Sequence, residues 1–175
     1  LSMTLKAGRL GIGTSEPRAA LDVRGDILGG CPVFFRVNIE TPSNSTLTPT
    51  SGAPPIVWNS VSWNVGGGYN PGTGIFTAPI QGYYSFSHWA MTNGNVNLVL
   101  VYYINGALFN DLNPVRAEPY QKATGNSHTQ NSGTTTFKMR AGDRFYIALT
   151  SGNIYVSATG SAMYNNFEGY YLSSW

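Results

Sequence analysis

The stretch from Trp58 to Phe86 combines aromatic residues, an asparagine and a glycine at fixed spacings. It reads WNSVSWNVGGGYNPGTGIFTAPIQGYYSF, and its marked positions are Trp58, Asn64, Tyr69, Phe76, Gly82, Tyr84 and Phe86. The last two alternate with Tyr83 and Ser85, which is typical of a strand with one buried face. Glycines and Pro71 separate the apolar groups, as turns between short strands require. These spacings predict one kind of β-sandwich.

On either side of this stretch, apolar runs alternate with turn residues every eight to twelve positions over residues 31–175, which is typical of an all-β sandwich. Val33 to Asn38 is the expected first strand, and Gly82 to Met91 is a long one. Val96 to Ile104 is almost continuously apolar, which predicts a strand covered on both faces. Asn105-Gly106 predicts a tight hairpin turn. We expect no helix.

Two later segments extend the pattern: Ala141-Gly142-Asp143-Arg144-Phe145 and Phe167-Glu168-Gly169-Tyr170-Tyr171-Leu172. With the central stretch, they resemble the globular head of complement component one q, in the tumour necrosis factor superfamily. The resemblance covers most of residues 33–173. It implies an all-β, ten-stranded jelly-roll sandwich that works as a homotrimer and recognises ligands rather than catalysing a reaction. Two positions depart from the family pattern. Trp58 stands where Phe is usual, and His88 stands where Phe or Tyr is usual.

The resemblance also indicates which apolar residues pack in the core and in the trimer contacts. Tyr84, Phe86, Phe167 and Tyr171 fall at its packing positions, so it implies that they build the core and the trimer contacts. His88 places a titratable group at an expected packing position, where we expect it to contact aromatic neighbours.

Residues 1–30 differ in character from residues 31–175, and we predict a separate segment there. The segment contains LGIGT at residues 10–14, Pro17, and LDVRG at residues 21–25, and it resembles an element of trimeric phage and bacterial fibres. It is too short to bury its own apolar residues, so Leu21 and Val23 are expected to pack against identical chains. A disordered linker is the alternative. Because the chain begins with Leu1, we expect it to be a piece of a longer fibre.

Composition excludes several functions. The formal net charge is +2, and no Asp, Glu, Lys or Arg occurs from Thr41 to Asn110, which argues against nucleic acid as a partner. No apolar run reaches the length of a membrane helix. The single Cys31 cannot form an internal disulfide. No paired His or Cys spacing predicts a metal site, and Asn110, Asp111 and Asn113 could supply at most a weak calcium site. No other cofactor is expected.

The sequence offers few acidic residues or histidines that could act in catalysis. After residue 40 the acidic residues are Asp111, Glu118, Asp143 and Glu168, and the last two are better explained as a turn residue and a strand residue. Asp111 and Glu118 could act as a pair in polysaccharide cleavage, but an ordinary solvated loop explains them more simply. His128 lies in a polar loop without nearby acids. We therefore predict that the protein is not an enzyme.

Recognition is the favoured function. The long polar connection over residues 105–132 carries the expected ligand-binding residues Asp111, Arg116, Glu118, Tyr120 and Lys122, since binding residues concentrate on loops of rigid sandwiches. A loop that only contacts the next protomer is the alternative. Trp63 could present an aromatic platform to a sugar. We predict an extracellular fibre tip, on a phage virion or a bacterial surface, that binds a cell-surface glycan or protein; a purely structural trimerisation cap is the competing hypothesis.

Overall fold

A computed structural model describes residues 3–24, 33–93, 96–108, 121–122, 128–159 and 164–174. The chain divides into two compact units, Leu1–Pro32 and Val33–Trp175. No helix occurs among the described residues, and accordingly none of them forms a helix able to cross a membrane. The all-β jelly-roll sandwich predicted from the sequence is confirmed.

The first unit contains a small sheet of three described strands, β1 (Met3–Lys6), β2 (Arg9–Ile12) and β3 (Leu21–Val23). β1 and β2 pair antiparallel, and β2 and β3 pair parallel. The glycines of LGIGT are sterically required: a Cβ on Gly11 would lie 2.5 Å from the Thr14 carbonyl oxygen, and Gly13 has a φ of +74°. Residues 10–12 of this motif pair with β3 in the small sheet.

The second unit begins with β4 (Phe34–Asn38), β5 (Ser45–Leu47), β6 (Ser60–Val65), β7 (Tyr69–Asn70), β8 (Ile75–Thr77) and β9 (Gly82–Thr92). It continues with β10 (Asn97–Ile104), β11 (Ala107–Leu108), β12 (Gln121–Lys122), β13 (Thr129–Met139), β14 (Arg144–Ser151), β15 (Ile154–Val156) and β16 (Asn166–Ser173).

These strands form two facing sheets. The β9 sheet has the order β13-β9-β16-β4-β6, and the β10 sheet has the order β11-β10-β14-β8-β7, with β12 also paired to β10. Among the described strands, β5 and β15 pair only with each other, as a separate short ribbon whose Ile154 and Val156 belong to the hydrophobic core. Between the sheets lies a core whose aromatic centre includes Phe35, Phe76, Phe86, Phe145 and Phe167. The rings of Phe86 and Phe145 stack at 4.1 Å across it.

The marked residues of the central stretch hold this core together. The Asn64 amide donates to the Tyr69 carbonyl at 2.8 Å and accepts the Tyr69 N–H, which closes the glycine turn between β6 and β7. The buried Tyr69 hydroxyl donates to the Trp58 carbonyl at 3.1 Å, and burial raises its pKa. Gly82 leaves room for the Tyr171 ring, because a Cβ there would lie 2.3 Å from it.

The apolar run of β10 is less covered than the sequence predicts. Leu98, Leu100 and Tyr102 are buried, whereas Val99, Val101 and Tyr103 on the other face are only half-buried. One face of β10 packs into the sandwich core, and the outward face carries a partial cover that includes the Tyr103–Tyr146 ring stack. The prediction that β10 is covered on both faces is therefore wrong for a single chain, because its outward face is only half-buried.

Candidate assembly face and the predicted ligand-binding residues

The predicted ligand-binding residues fall largely outside the described part of the chain. Asp111, Arg116, Glu118 and Tyr120 lie there, as do Asn110 and Asn113 of the weak calcium site. Lys122 belongs to β12, whose backbone pairs Lys122 with Asn97 and Gln121 with Leu98 of β10. The described strands on either side of residues 111–120, β11 and β12, both pair with β10.

The predicted packing residues lie in different environments. Tyr84, Phe86 and Phe167 are fully buried in the core, and Tyr171 is half-buried with its ring 5.5 Å from that of Tyr84. Burial raises the pKa of Tyr84, whose hydroxyl donates to the Ile80 carbonyl at 2.7 Å.

In the first unit, Leu21 is exposed at 56% and Val23 is half-buried. The small sheet also leaves Met3 and Leu5 exposed. Between the two β3 residues, the Asp22 carboxylate accepts the Arg18 N–H at 2.9 Å. This backbone hydrogen bond, with Arg24 and Arg18 nearby, holds the pKa of Asp22 below its ordinary value.

The outward side of the β9 sheet carries large apolar side chains that are exposed or half-buried. Strand pairing aligns Ser85, Tyr170, Phe34 and Val65 across four strands. The adjacent row aligns Ser87, Glu168, Arg36 and Trp63. We define the candidate assembly face as the outward side chains Phe34, Trp63, Val65, Tyr83, Trp89 and Tyr170.

This face has the composition of a protein interface. Trp63, Val65, Tyr83 and Tyr170 are exposed, and Phe34 and Trp89 are half-buried. The Arg36 guanidinium lies 5.8 Å from the Trp63 ring, within range of a cation–π interaction. Aromatic residues and Arg are enriched at interfaces, and exposed clusters of large apolar side chains mark interaction sites. Trp63, which the sequence analysis considered as a platform for a sugar ring, is therefore also part of the candidate assembly face.

His88 is part of the core and is inaccessible to substrate. It is 1% exposed, with Nδ1 2.9 Å from the Tyr102 hydroxyl and Nε2 3.4 Å from Asn131 Oδ1. A neutral ring with its proton on Nε2 fits both contacts, because it accepts from Tyr102 and donates to Asn131. Burial lowers the pKa of His88 to about 4. The expected aromatic contact is present, since the Tyr102 ring packs edge-on at 5.7 Å.

The other residues considered for chemistry have structural surroundings. The Asp143 carboxylate accepts the Arg140 N–H at 2.7 Å and the Asn105 amide at 3.0 Å, so it links two turns. His128 is exposed, with its ring 4.9 Å from that of Tyr155. Within the described ranges, no three His, Cys, Asp or Glu side chains lie together in a way that could hold a metal ion.

Comparisons with known proteins agree with this fold. A complement C1q subcomponent polypeptide of Mus musculus is 30% identical over 117 residues, which is 67% of this chain and 43% of that protein. The corresponding polypeptide of Rattus norvegicus is 27% identical over 117 residues, again 67% of this chain and 43% of that protein. The chain thus spans less than half the length of these relatives.

Solved structures show the same architecture. The globular domain of zebrafish complement 1qA protein superposes with a TM-score of 0.59 at 19% identity, covering 82% of this chain and 98% of that one. Eiger TNF from S. frugiperda superposes with a TM-score of 0.54 at 13% identity, covering 82% and 95%. The C1q domain model matches residues 35–172. Since that match spans nearly all of the sandwich and more than half of the chain, the chain belongs to the C1q domain family.

Proposed function

We propose that this chain is the recognition head of a homotrimeric extracellular fibre and that it binds a cell-surface glycan or protein. The observation that carries the proposal is the candidate assembly face, an aromatic surface left open on one sheet of a C1q-type sandwich. Domains of this family are typically trimeric and ligand-binding. The activity we propose is recognition without catalysis.

The exposed face supports a closed oligomer. A lone chain would leave Tyr83, Tyr170 and Trp63 in water, and covering such apolar area contributes roughly 25 cal/mol per Å². Cyclic association covers the same patch on every copy without creating an open-ended polymer. The first unit supports a fibre, since Leu5 and Leu21 stay exposed on its small sheet and identical neighbours would cover them.

The ligand site belongs, in this proposal, to the connection between β11 and β12 and to β12 itself, with Asp111, Arg116, Glu118, Tyr120 and Lys122 as its residues. These residues bring charge and an aromatic ring to a chain with only 10% charged residues. Mixed charges near neutrality favour a neutral or zwitterionic glycan over a polyanion. Three copies on one trimer would raise a weak single-site affinity by about 10²–10⁴ through avidity.

The experiment combines mass measurement with ligand binding. Light scattering should give three times the 18.9 kDa chain mass, and the trimer should bind a glycan array or target cells. The double variant Arg116→Ala, Tyr120→Ala should stay trimeric and lose binding, and Tyr155→Ala serves as an aromatic control elsewhere on the head. A monomer at micromolar concentration overturns the trimer. A trimer that binds no ligand supports the structural cap instead, and release of oligosaccharides supports a depolymerase.

A further inference from the structure

Away from the candidate assembly face, the second unit contains an apolar cleft of about 260 Å³. Its most buried lining comes from Ile39, Ile56, Leu149 and Val156, which are 1–8% exposed. These residues belong to four separate segments of the chain. The cleft is larger than a buried cavity of about 150 Å³ that is known to take up benzene. Its size is therefore sufficient for a small organic molecule.

The walls of the cleft are held by backbone hydrogen bonds. On one side, β5 pairs with β15 through Leu47 with Ile154 and Ser45 with Val156. On the other side, the Ile56 N–H donates to the Ile147 carbonyl at 2.8 Å. Because both walls are anchored to neighbouring strands, the cleft is preformed and a ligand would not have to order it.

The chemistry of the lining selects for a neutral ligand. Among the described residues that line the cleft none is charged, and the lining includes the hydroxyl-bearing residues Thr41, Thr46, Thr48 and Thr50. Residues 41–110 also lack Asp, Glu, Lys and Arg, and Glu40, which lies between Ile39 and Thr41 in sequence, is not among the lining residues. An ion entering this apolar lining would lose hydration without gaining a counter-charge from the lining side chains, which is unfavourable. A hydroxyl or amide on the ligand could instead exchange hydrogen bonds with the threonines.

We propose that this cleft is a binding site for a small neutral amphiphile, an apolar ring or branched chain that carries one or two hydroxyl or amide groups. The apolar part would lie against Ile39, Ile56 and Val156, and the polar group would face the threonine hydroxyls. Apolar pockets with a few convergent polar groups are the usual form of small-molecule sites. The inference does not depend on the proposed trimer or on the loop residues of the proposed ligand site.

The test uses three probes that share one ring: benzyl alcohol, benzoate and benzylammonium. NMR titration of the full chain should show benzyl alcohol shifting the amide signals of Leu47, Ile56 and Val156, with a dissociation constant on the order of 1 mM, as expected for eight non-hydrogen atoms. The two charged probes should bind at least about tenfold more weakly. Equal binding of all three probes, shifts confined to other regions, or no shifts up to 20-fold above about 1 mM would overturn the proposal.

A matched pair of variants locates the site. Val57 lines the cleft and is 42% exposed, whereas Val61 lies outside the lining and is 43% exposed. Val57→Trp should fill the cleft and weaken benzyl alcohol binding at least about tenfold, whereas Val61→Trp should leave binding unchanged. Both variants should keep the parent melting temperature within a few degrees, because neither valine side chain is buried. Equal binding by both variants contradicts the site. If Val57→Trp instead changes the oligomeric mass, a second copy of the chain occupies the cleft, and the small-molecule assignment is wrong.

Discussion

The hydroxyl of Tyr102, on β10, lies 2.9 Å from Nδ1 of His88, on β9, and so joins the two sheets inside the core. Gly133 on β13 makes room for this contact, because a Cβ there would lie 2.8 Å from both the His88 ring and the Tyr102 hydroxyl. A polar bridge of this kind is stable only while its members are hydrogen-bonded and uncharged. His88, which departs from the family pattern, is therefore accommodated in the core by its hydrogen bond with Tyr102.

This bridge predicts that stability depends on pH. The pKa of His88 is about 4 when folded and about 6.5 when unfolded, so the unfolded chain binds the proton more readily between these values. The stabilisation is complete above pH 6.5 and is lost as the pH falls toward 4. Between pH 7 and pH 5 we expect the free energy of unfolding to fall by about 2 kcal/mol. Urea unfolding at constant protein concentration measures it. The double variant His88→Phe, Tyr102→Phe should lose most of this dependence; an unchanged slope would assign it to other groups.

Phe86 tests the location of the core. It is 1% exposed and stacks on Phe145, so Phe86→Ala should lower the free energy of unfolding by about 3–5 kcal/mol through lost burial and a residual cavity. Thr136, an exposed residue on the adjacent strand β13, gives the control Thr136→Ala, for which we expect a change within about 0.5 kcal/mol. Thermal or chemical unfolding measures the free energy of unfolding of both variants. Equal losses in the two variants would be inconsistent with this core.

Gly169 tests the closing strand. A Cβ there would lie 2.6 Å from the rings of both Phe35 and Phe86, which are buried, so Gly169→Ala should cost about 3 kcal/mol, at the upper end of typical overpacking. Gly106 has open space around it and a φ of +79°, so Gly106→Ala should cost only the strain of the left-handed backbone, about 1–2 kcal/mol at most. Melting temperatures of the two variants should therefore rank Gly169→Ala as the less stable. The reverse order would show that the rings yield easily.

Tyr170 tests the candidate assembly face. Its side chain is 39% exposed on that face, and Leu108, on the edge of the other sheet, is 44% exposed. We expect Tyr170→Glu to weaken self-association by at least about 30-fold, because it places a charge in a desolvated interface. Leu108→Glu should leave association unchanged. Sedimentation across a concentration series measures both, and circular dichroism checks that both variants are folded. Loss of assembly in Leu108→Glu alone would move the interface to the β10 sheet.

Deletion of residues 1–30 tests the independence of the two units. The second unit has its own core, so the truncated chain should still unfold cooperatively, with the β signature of the parent. Its oligomer should dissociate at higher protein concentration, because the exposed apolar residues of the first unit no longer contribute. Calorimetry and sedimentation measure the two effects. A truncated chain that fails to fold would show that both units form one cooperative structure.

Local patterns in the sequence were sufficient for the fold class and for part of the surface. The spacing of Trp58, Asn64, Tyr69 and Phe76 encodes a turn and its packing within 19 residues, so it is readable without tertiary information. Alternation along Gly82–Thr92 also separates the core residues from Tyr83 and Trp89, because the side-chain period of a strand is two. LGIGT likewise encodes a glycine-dependent turn.

The tertiary structure decided what lies beside these residues. Strand pairing places Phe34 and Tyr170 side by side although they are far apart in the chain, and it gives His88 its Tyr102 and Asn131 partners. The apolar cleft depends on Ile39, Ile56, Leu149 and Val156 meeting from four segments, for which the sequence carries no local signal. Period and spacing report which face of a strand is buried, whereas neighbours across strands depend on register and long-range packing, which only the folded chain determines.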